Sequence, residues 1–376
     1  MKPSISNLSE ESGRLTFTLS GVNVSIANAL RRIIISEIPC VVFRTTPHDE
    51  NRLNIELNTS RMNNELIKQR MSCVPIHITD VSTPIANYEI IVNKKNDGDV
   101  IEYVTTKDIT IKDTQTGKML SETAVRKIFP PDPITGDYID IVRLRPRLSE
   151  DIHGEHLKFI AKLDIGTAKE NGSFNVVSTC SYGNTEDPIR VKEKLGEMLA
   201  SMNTSGMDAD TIEFKKKDWL LLNAQMQSIP DSFDFIIETV GPFTNMDIVL
   251  KGAFVMIDKI MTFKSIIQSD EGLISQSETT LENGFDIKLI SEDYTLGKAL
   301  EFVLYSNHYD RFSEKSDKTL TFCGFRKPHP HIDESVIRVG FVSSVDKQTV
   351  VRILVEACKV LEATFIGIAD FFKKVD

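Results

Sequence analysis

The feature that most constrains the fold is a six-residue pattern that occurs twice in the chain. Thr295–Leu300 repeats Ser25–Leu30 position by position in residue class. Each copy follows a short segment with alternating apolar residues, Leu15–Leu19 before the first copy and Phe285–Leu289 before the second. Each copy is also followed by a Phe-Arg pair and then by a Pro-His pair. Self-similarity of this kind predicts two structurally related parts within one chain.

The first copy opens a predicted amphipathic helix over Ser25–Glu37. At about 100° per residue, four aliphatic side chains share one face and polar side chains occupy the opposite face. We expect Ser25 to cap the helix, because its hydroxyl can accept a bond from an N–H group of the first turn. Ile38-Pro39 ends the helix, since a residue before proline avoids the helical region. An ordinary surface helix would show the same pattern, so only the second copy favours a more specific role.

The composition is that of a soluble globular protein. The chain has 376 residues, 41% of them hydrophobic and 26% charged, which is enough for two or three domains. Its net charge of −10 argues against an independent nucleic-acid-binding protein, which would carry a basic excess. No Cys-x-x-Cys spacing, signal peptide or apolar run of membrane-spanning length occurs in the sequence. We therefore expect no membrane association and a cytoplasmic or nuclear location.

Shifts in composition along the chain predict an α+β fold with distinct domains. Residues 46–150 alternate turn clusters with short β-rich runs, which predicts an inserted, mostly β domain. Residues 1–45 and 151–264 would form one domain, whose final helix is apolar on more than one face and is predicted to be buried on two sides. Residues 265–282 are polar and lack strong periodicity, as a linker does. Residues 283–376 form the last predicted domain.

Motifs of common catalytic sites are missing from the sequence. It contains no Walker-type phosphate loop, no Gly-x-Ser-x-Gly turn and no His-Glu-x-x-His zinc motif. His329-Pro330-His331 lacks the carboxylate or cysteine that would complete a metal site. We predict no catalytic residue and no bound metal in this chain. The alternative, a stand-alone nucleotidyl-transferring or hydrolytic enzyme, would need a carboxylate cluster or a phosphate loop.

Several segments together resemble one protein family. Asn28–Pro39 resembles the signature of the RNA polymerase alpha subunit and its eukaryotic and archaeal counterparts, among them the third-largest subunit of RNA polymerase II and archaeal D. Ile160–Glu170 and Phe235–Gly241 are similar to later segments of the same family. Glu292–Gly297 and Phe325–Pro330 resemble the small partner subunit, which is the eleventh subunit of RNA polymerase II or archaeal L. The resemblance covers nearly the whole chain.

The resemblance implies two alpha-subunit-type dimerisation domains that pair within one chain as an intramolecular pseudo-dimer. In cellular polymerases these are two chains, and the fused arrangement resembles that of large DNA viruses, which would place the protein in the host cytoplasm or the virion. It further implies an assembly platform for the two large catalytic subunits and smaller polymerase subunits, which touches DNA only indirectly. Magnesium is expected in the large subunits. The cysteine cluster and the C-terminal DNA-binding domain of some relatives are absent from the sequence.

We call the helices that begin with the two copies of the repeat, Ser25–Leu30 and Thr295–Leu300, the signature helices. Their apolar faces are the predicted pairing surface. Burying about four aliphatic side chains on each helix contributes roughly 6–12 kcal/mol before conformational entropy is counted. Two quasi-equivalent halves can bury these faces against each other. The residues expected to pair are Ile26, Leu30, Ile33 and Ile34 of the first half and Leu296, Leu300, Val303 and Leu304 of the second.

Arginines off the apolar face are the predicted docking surface for the large subunits. Arg31 and Arg32 lie there with Asn28 and Glu37 beside them, and arginine is enriched at interfaces because its planar group makes bidentate contacts. The alternative is that they are solvated or pair with nearby acids. A different alternative function, a nucleic-acid-binding adaptor, would use the three arginines of Arg143–Arg147. The salt dependence of DNA binding would distinguish it from a platform.

Overall fold

The computed structural model describes residues 1–147, 149, 153–269 and 271–373. The strands are β1 (Ser4–Glu11), β2 (Arg14–Ser20), β3 (Cys40–Val42), β4 (Leu53–Asn58), β5 (Tyr88–Lys95), β6 (Glu102–Thr105), β7 (Thr110–Asp113), β8 (Asp140–Leu144), β9 (His156–Lys162), β10 (Asp164–Gly166), β11 (Val177–Glu186), β12 (Ser228–Thr239), β13 (Ile274–Gln276), β14 (Gly284–Ile290), β15 (Leu320–Arg326) and β16 (Glu334–Phe341).

The α-helices are α1 (Val24–Ser36), α2 (Asn64–Ser72), α3 (Glu122–Ile128), α4 (Pro188–Thr204), α5 (Ala209–Leu222), α6 (Asn245–Ser269), α7 (Tyr294–Leu304) and α8 (Lys347–Lys373). A π-helical turn, Tyr305–Tyr309, follows α7 directly. The chain divides into two compact units. The first unit contains residues 1–34, 179–238 and 245–376, and the second contains residues 35–178 and 239–244.

The first unit contains two four-stranded sheets with the same strand order. One sheet runs β1-β2-β12-β11 and the other runs β13-β14-β16-β15. Each sheet is accompanied by one shorter helix after its second strand in the chain and one long helix after its last strand, α1 and α6 in the first case and α7 and α8 in the second. We call these sets the first module and the second module. The sequence repeat therefore corresponds to a repeat of topology.

The aromatic core of the first unit draws on both modules. Phe17 of β2 lies opposite Phe235 of β12 in the register of the sheet. Their rings stack with centroids 5.1 Å apart. Phe372 of α8 meets the edge of the Phe17 ring at 5.3 Å, and all three residues are almost fully buried. A side chain of the second module thus packs against the sheet of the first.

The second unit is built on a four-stranded sheet with the order β4-β9-β5-β7, and it also contains the pairs β6-β8 and β3-β10. Its hydrophobic core includes residues from these strands and from α2 and α3, among them Phe43, Ile67, Val125 and Phe159. The ring centroids of Phe43 and Phe129 lie 6.1 Å apart. The strand that follows the first signature helix therefore belongs to this unit. By sheet position, the counterpart of β15 is β11 and not β3.

Two segments differ from what their composition predicts. The first domain was predicted to resume at residue 151, but strand β9 lies between β4 and β5 in the second unit. The alternating apolar residues of β9 contribute to the core of that unit. The predicted linker, 265–282, is largely structured. Helix α6 continues through Ser269, and β13 pairs with β14. The buried Ile267 and Ile274 hold these parts in place, and their polar neighbours mask that pattern in the sequence.

Candidate subunit interface

Helix α1 begins one residue before the predicted start, and Asn23 caps it. The Asn23 Oδ1 atom accepts a hydrogen bond from the Ser25 backbone N–H at 2.9 Å. The prediction that Ser25 is the cap is wrong, because Ser25 already lies inside the helix. Its hydroxyl is buried and has no hydrogen-bond partner among the described residues. In the second module, Asp293 holds the equivalent position, and its Oδ1 atom accepts from the Thr295 N–H at 2.8 Å.

The apolar faces of α1 and α7 are both in the core. The following eight predicted pairing residues are at most 1% exposed: Ile26, Leu30, Ile33, Ile34, Leu296, Leu300, Val303 and Leu304. Leu30 and Ile34 lie against Gly252 of α6, where an added Cβ would come within 2.8 Å of Ile34 Cγ1. A Cβ at Gly297 of α7 would overlap the Phe325 ring. In these contacts, each signature helix packs against an element of its own module.

The long helices α6 and α8 have the most extensive helix–helix contact in the first unit, and they come from different modules. Lys264 Nζ of α6 lies 3.2 Å from Glu362 Oε2 of α8. Lys373 Nζ lies 4.9 Å from the centroid of the Phe254 ring. We call this contact between the first and second modules the seam. None of the pairing residues predicted from the sequence lies on α6 or α8. The signal that could have found the seam is the apolar pattern of α6 on more than one face, which agrees with its many buried residues.

The two signature arginines have different surroundings. Arg31 donates from Nε and Nη2 to Asn28 Oδ1 at 3.0 and 2.9 Å, so the two predicted docking residues share a contact on one face of α1. Arg32 instead reaches the second module. Its Nε donates to Thr295 Oγ1 at 2.9 Å and its Nη2 to Asp293 Oδ2 at 2.7 Å. Glu37 follows α1, belongs to the second unit and is partly exposed.

The equivalent helix α7 has a different polar edge. When the alignment of the repeat is continued along both helices, Lys298 replaces Asn28, Glu301 replaces Arg31 and Phe302 replaces Arg32. Lys298 Nζ and Glu301 Oε2 lie 2.5 Å apart as an i,i+3 pair, so their charges neutralise each other on the helix surface. Of the two signature helices, α1 alone carries adjacent arginines.

An arginine–aspartate pair joins the inner strands of the second module. On the inner strands of the second module, Arg338 Nε and Nη2 donate to Asp286 at 2.6 and 2.7 Å. These hydrogen bonds are the main reason that the pKa of Asp286 is below its ordinary value, although burial opposes them. The inner strands of the first module carry an arginine–carboxylate pair of their own, in which Arg14 Nε lies 2.6 Å from Glu238 Oε1.

The arginine segment at 143–147 is largely engaged within the second unit. Arg145 Nε lies 2.6 Å from Glu155 Oε1, and the Arg145 N–H donates to Glu155 Oε2 at 2.8 Å. Arg147 Nε donates to the Ser149 carbonyl at 2.8 Å. Arg143 is exposed on β8. The charge of Arg145 is thus neutralised by Glu155, whereas Arg143 and Arg147 are exposed.

Metal-ligating clusters and membrane-spanning helices are both absent from the described part of the chain. In that part, no three His, Cys, Asp or Glu side chains come together in an arrangement that could hold a metal ion. Across the same residues, no helix combines the length and the apolar character needed to cross a membrane.

Comparison with known families identifies the chain. The model of the RNA polymerase Rpb3/Rpb11 dimerisation domain matches residues 16–260, which is more than half of the 376 residues. The chain belongs to the Rpb3/Rpb11 dimerisation-domain family. This match includes α1, β12 and most of α6, and it ends before the second module. The resemblance to the alpha-like polymerase subunits is thereby confirmed for this region.

Curated relatives of this Rpb3/Rpb11-type chain are polymerase subunits. DNA-directed RNA polymerases I and III subunit rpac1 of Dictyostelium discoideum is 26% identical, over 68% of this chain and 79% of the relative. The archaeal subunit Rpo3 of Pyrococcus horikoshii is 26% identical, over 68% of this chain and 93% of its own length. DNA-directed RNA polymerase II subunit RPB3 of Schizosaccharomyces pombe is 21% identical, over 75% of this chain and 93% of its own length.

Proposed function

We propose that this protein is a non-catalytic assembly subunit of a multisubunit DNA-directed RNA polymerase. The observation that carries the proposal is a family match combined with a repeated topology: two modules of the same strand order lie in one compact unit. In this proposal the modules are two dimerisation domains of one chain, paired in cis as a pseudo-dimer. The inserted β domain of this proposal, residues 46–150, lies within the second unit, which contains residues 35–178 and 239–244.

The paired modules act as the platform on which the two large catalytic subunits assemble, together with smaller polymerase subunits. Catalysis and its magnesium belong to the large subunits, and this chain needs no cofactor of its own. It acts in the cytoplasm or the nucleus, contacts DNA only through the complex and does not enter a membrane. The fusion of both domain types resembles the arrangement in large DNA viruses, for which the site of action would be the host cytoplasm or the virion.

The docking surface proposed for a large subunit is the polar edge of α1 with Asn28, Arg31 and Arg32. Glu37, which follows α1 and belongs to the second unit, is proposed separately as a docking residue. Arg31 is the main anchor of the α1 edge, because Arg32 already binds Asp293 and Thr295 within the chain. Arg31 is half-buried, and its hydrogen bonds to Asn28 partly orient its guanidinium group before a partner binds. An oriented guanidinium loses less conformational entropy on binding a carboxylate than a free one does.

The proposal is tested by purifying the tagged full chain from its native source at moderate salt and identifying the proteins that accompany it. We expect two large partners in equal amounts, and we expect Arg31→Glu to reduce their recovery at least about tenfold. Lys298→Glu, the same charge reversal on the equivalent helix, is the matched control and should leave recovery unchanged. Circular dichroism verifies that both variants are folded.

Two results would contradict the platform. One is recovery of the wild-type chain as a lone monomer with activity on nucleotides or DNA. The other is binding to DNA whose affinity falls steeply with salt and is lost on Arg143→Ala, which would favour a nucleic-acid-binding adaptor. If the large partners are recovered but Arg31→Glu has no effect, the docking face is elsewhere.

A further inference from the structure

Among the described residues, three ion pairs that join the two modules share one polarity. Arg32 Nη2 lies 2.7 Å from Asp293 Oδ2. Lys259 Nζ of α6 lies 3.1 Å from Glu292 Oε2, and Lys264 Nζ lies 3.2 Å from Glu362 Oε2. In all three pairs, the cation belongs to the first module and the anion to the second.

The two lysine–glutamate pairs are partly shielded from water. Exposure of the lysine and glutamate side chains is 15% and 17% for Lys259 and Glu292, and 26% and 24% for Lys264 and Glu362. A charge at such a site costs more to leave unpaired than a fully solvated one, because less water remains to stabilise it. The seam thus discriminates between partners of different charge.

The repeated topology makes pairing of like modules a realistic competitor. If two first modules from different chains paired in the same geometry, Arg32 would face Asn23, because Asn23 aligns with Asp293. Lys259 would face Val22, because Val22 aligns with Glu292. Neither of these residues supplies a negative charge. If two second modules paired, the carboxylate of Asp293 would face Phe302, which takes the place of Arg32.

We propose that the charge polarity of this seam selects the pairing of first with second module and disfavours the pairing of like modules between chains. The proposal rests on the cis pairing proposed above and adds the residues that determine its specificity. Unmatched charges raise the free energy of the wrong pair, while matched charges lower that of the right one. The short connection from α6 to β13 keeps the right partner at high local concentration.

Charge exchange across the seam tests the proposal in the full chain. One variant carries Lys259→Glu with Lys264→Glu, a second carries Glu292→Lys with Glu362→Lys, and a third carries all four changes. Asp293 is left intact because it also caps α7. Hydrogen exchange of the backbone amides of α6 and α8, measured by mass spectrometry, reports on the seam directly. Light scattering measures the fraction of chains that associate.

We expect each two-residue variant to lose at least about tenfold in amide protection along α6 and α8 and to associate with other chains. The four-residue variant should recover most of the protection and return to the oligomeric state of the wild type. The control is Lys288→Glu with Glu334→Lys, which exchanges a half-exposed pair within the second module, and it should change neither measurement.

Two outcomes would overturn the proposal. One is unchanged protection in both two-residue variants, and the other is a four-residue variant that is damaged as much as the two-residue variants together. Failure here is distinguishable from failure of the proposed function. The four-residue variant can be tested for recovery of large polymerase subunits, since its α1 docking edge is unaltered. Restored seam protection without large partners would support the seam and contradict the platform.

Discussion

The first and second modules share a strand order but differ along the polar edges of their signature helices. In α1 this edge carries Arg31, which donates to Asn28, and Arg32, which donates to Asp293 of the second module. In α7 the equivalent edge carries the self-neutralising pair of Lys298 and Glu301. The apolar faces of both helices are equally buried. The fold is thus repeated through its buried residues, while the surface chemistry of the two copies has diverged.

The largest expected effect tests whether the two apolar faces are equivalent. Leu30→Ala and Leu300→Ala remove matching side chains that are fully buried. Each should lower the free energy of unfolding by about 2–5 kcal/mol, because a cavity adds to the lost burial. Urea unfolding followed by circular dichroism measures both. A large loss in only one variant would show that only one face is a true core element.

Close packing of the second signature helix predicts the next effect. Gly297→Ala should lower the free energy of unfolding by about 1–3 kcal/mol, because the new Cβ would displace the Phe325 ring. The reverse change at the equivalent position, Ala27→Gly, should cost only about 0.5–1 kcal/mol through backbone entropy. Thermal unfolding of the two variants compares them. If Gly297→Ala is harmless, the ring of Phe325 does not define the position of α7.

The Asp286–Arg338 pair of the second module should make the stability of the fold depend on pH. In the folded state, Arg338 holds the pKa of Asp286 below its ordinary value, so the pair stabilises the fold above about pH 4 and this contribution is lost as pH falls through the lowered pKa. Asp286→Asn should therefore lower the free energy of unfolding by about 1–2 kcal/mol at pH 7. Denaturation at pH 3 should show a smaller difference from the wild type. A difference that is constant with pH would exclude the charge as its cause.

The two helix caps predict the smallest effects, and these have opposite signs. Asp293→Asn keeps a cap acceptor but removes the charge that faces Arg32, which should lower the free energy of unfolding by about 0.5–1 kcal/mol. Asn23→Asp adds a negative charge at the start of α1 and should raise it by about 0.3–1 kcal/mol. Differential scanning calorimetry at low salt resolves both shifts. Shifts of the same sign would contradict the assigned cap roles.

Local sequence patterns predicted the signature helix well and its surroundings less well. Helix α1 covers Val24–Ser36 against a predicted Ser25–Glu37, because amphipathic spacing and Ile38-Pro39 are local signals. Strand β3, which follows α1 directly in the chain, pairs with β10 in the second unit. An alternating segment indicates a strand without indicating which sheet it joins. For the same reason, β9 could not be assigned to its sheet from alternation alone.

The candidate site shows the same division at the level of single residues. The amphipathic pattern placed Arg31 and Arg32 off the apolar face of the signature helix, yet adjacent arginines on one helix look alike in a sequence. Their different roles arise because Asp293 and Thr295, remote in the chain, are within reach of only one of them. The α6–α8 seam has a similar origin, since two apolar faces on one helix predict burial but do not name the second partner.

The sequence by itself determined that two related modules exist, where their signature helices lie and which faces are buried, because residue spacing along the chain encodes these properties directly. Only the tertiary structure decided which long helices meet and which arginine binds across the seam. It also placed the cation of the Arg32–Asp293, Lys259–Glu292 and Lys264–Glu362 pairs on the same module. Such contacts depend on the three-dimensional positions of residues far apart in the chain. Spacing along the sequence carries no record of those positions.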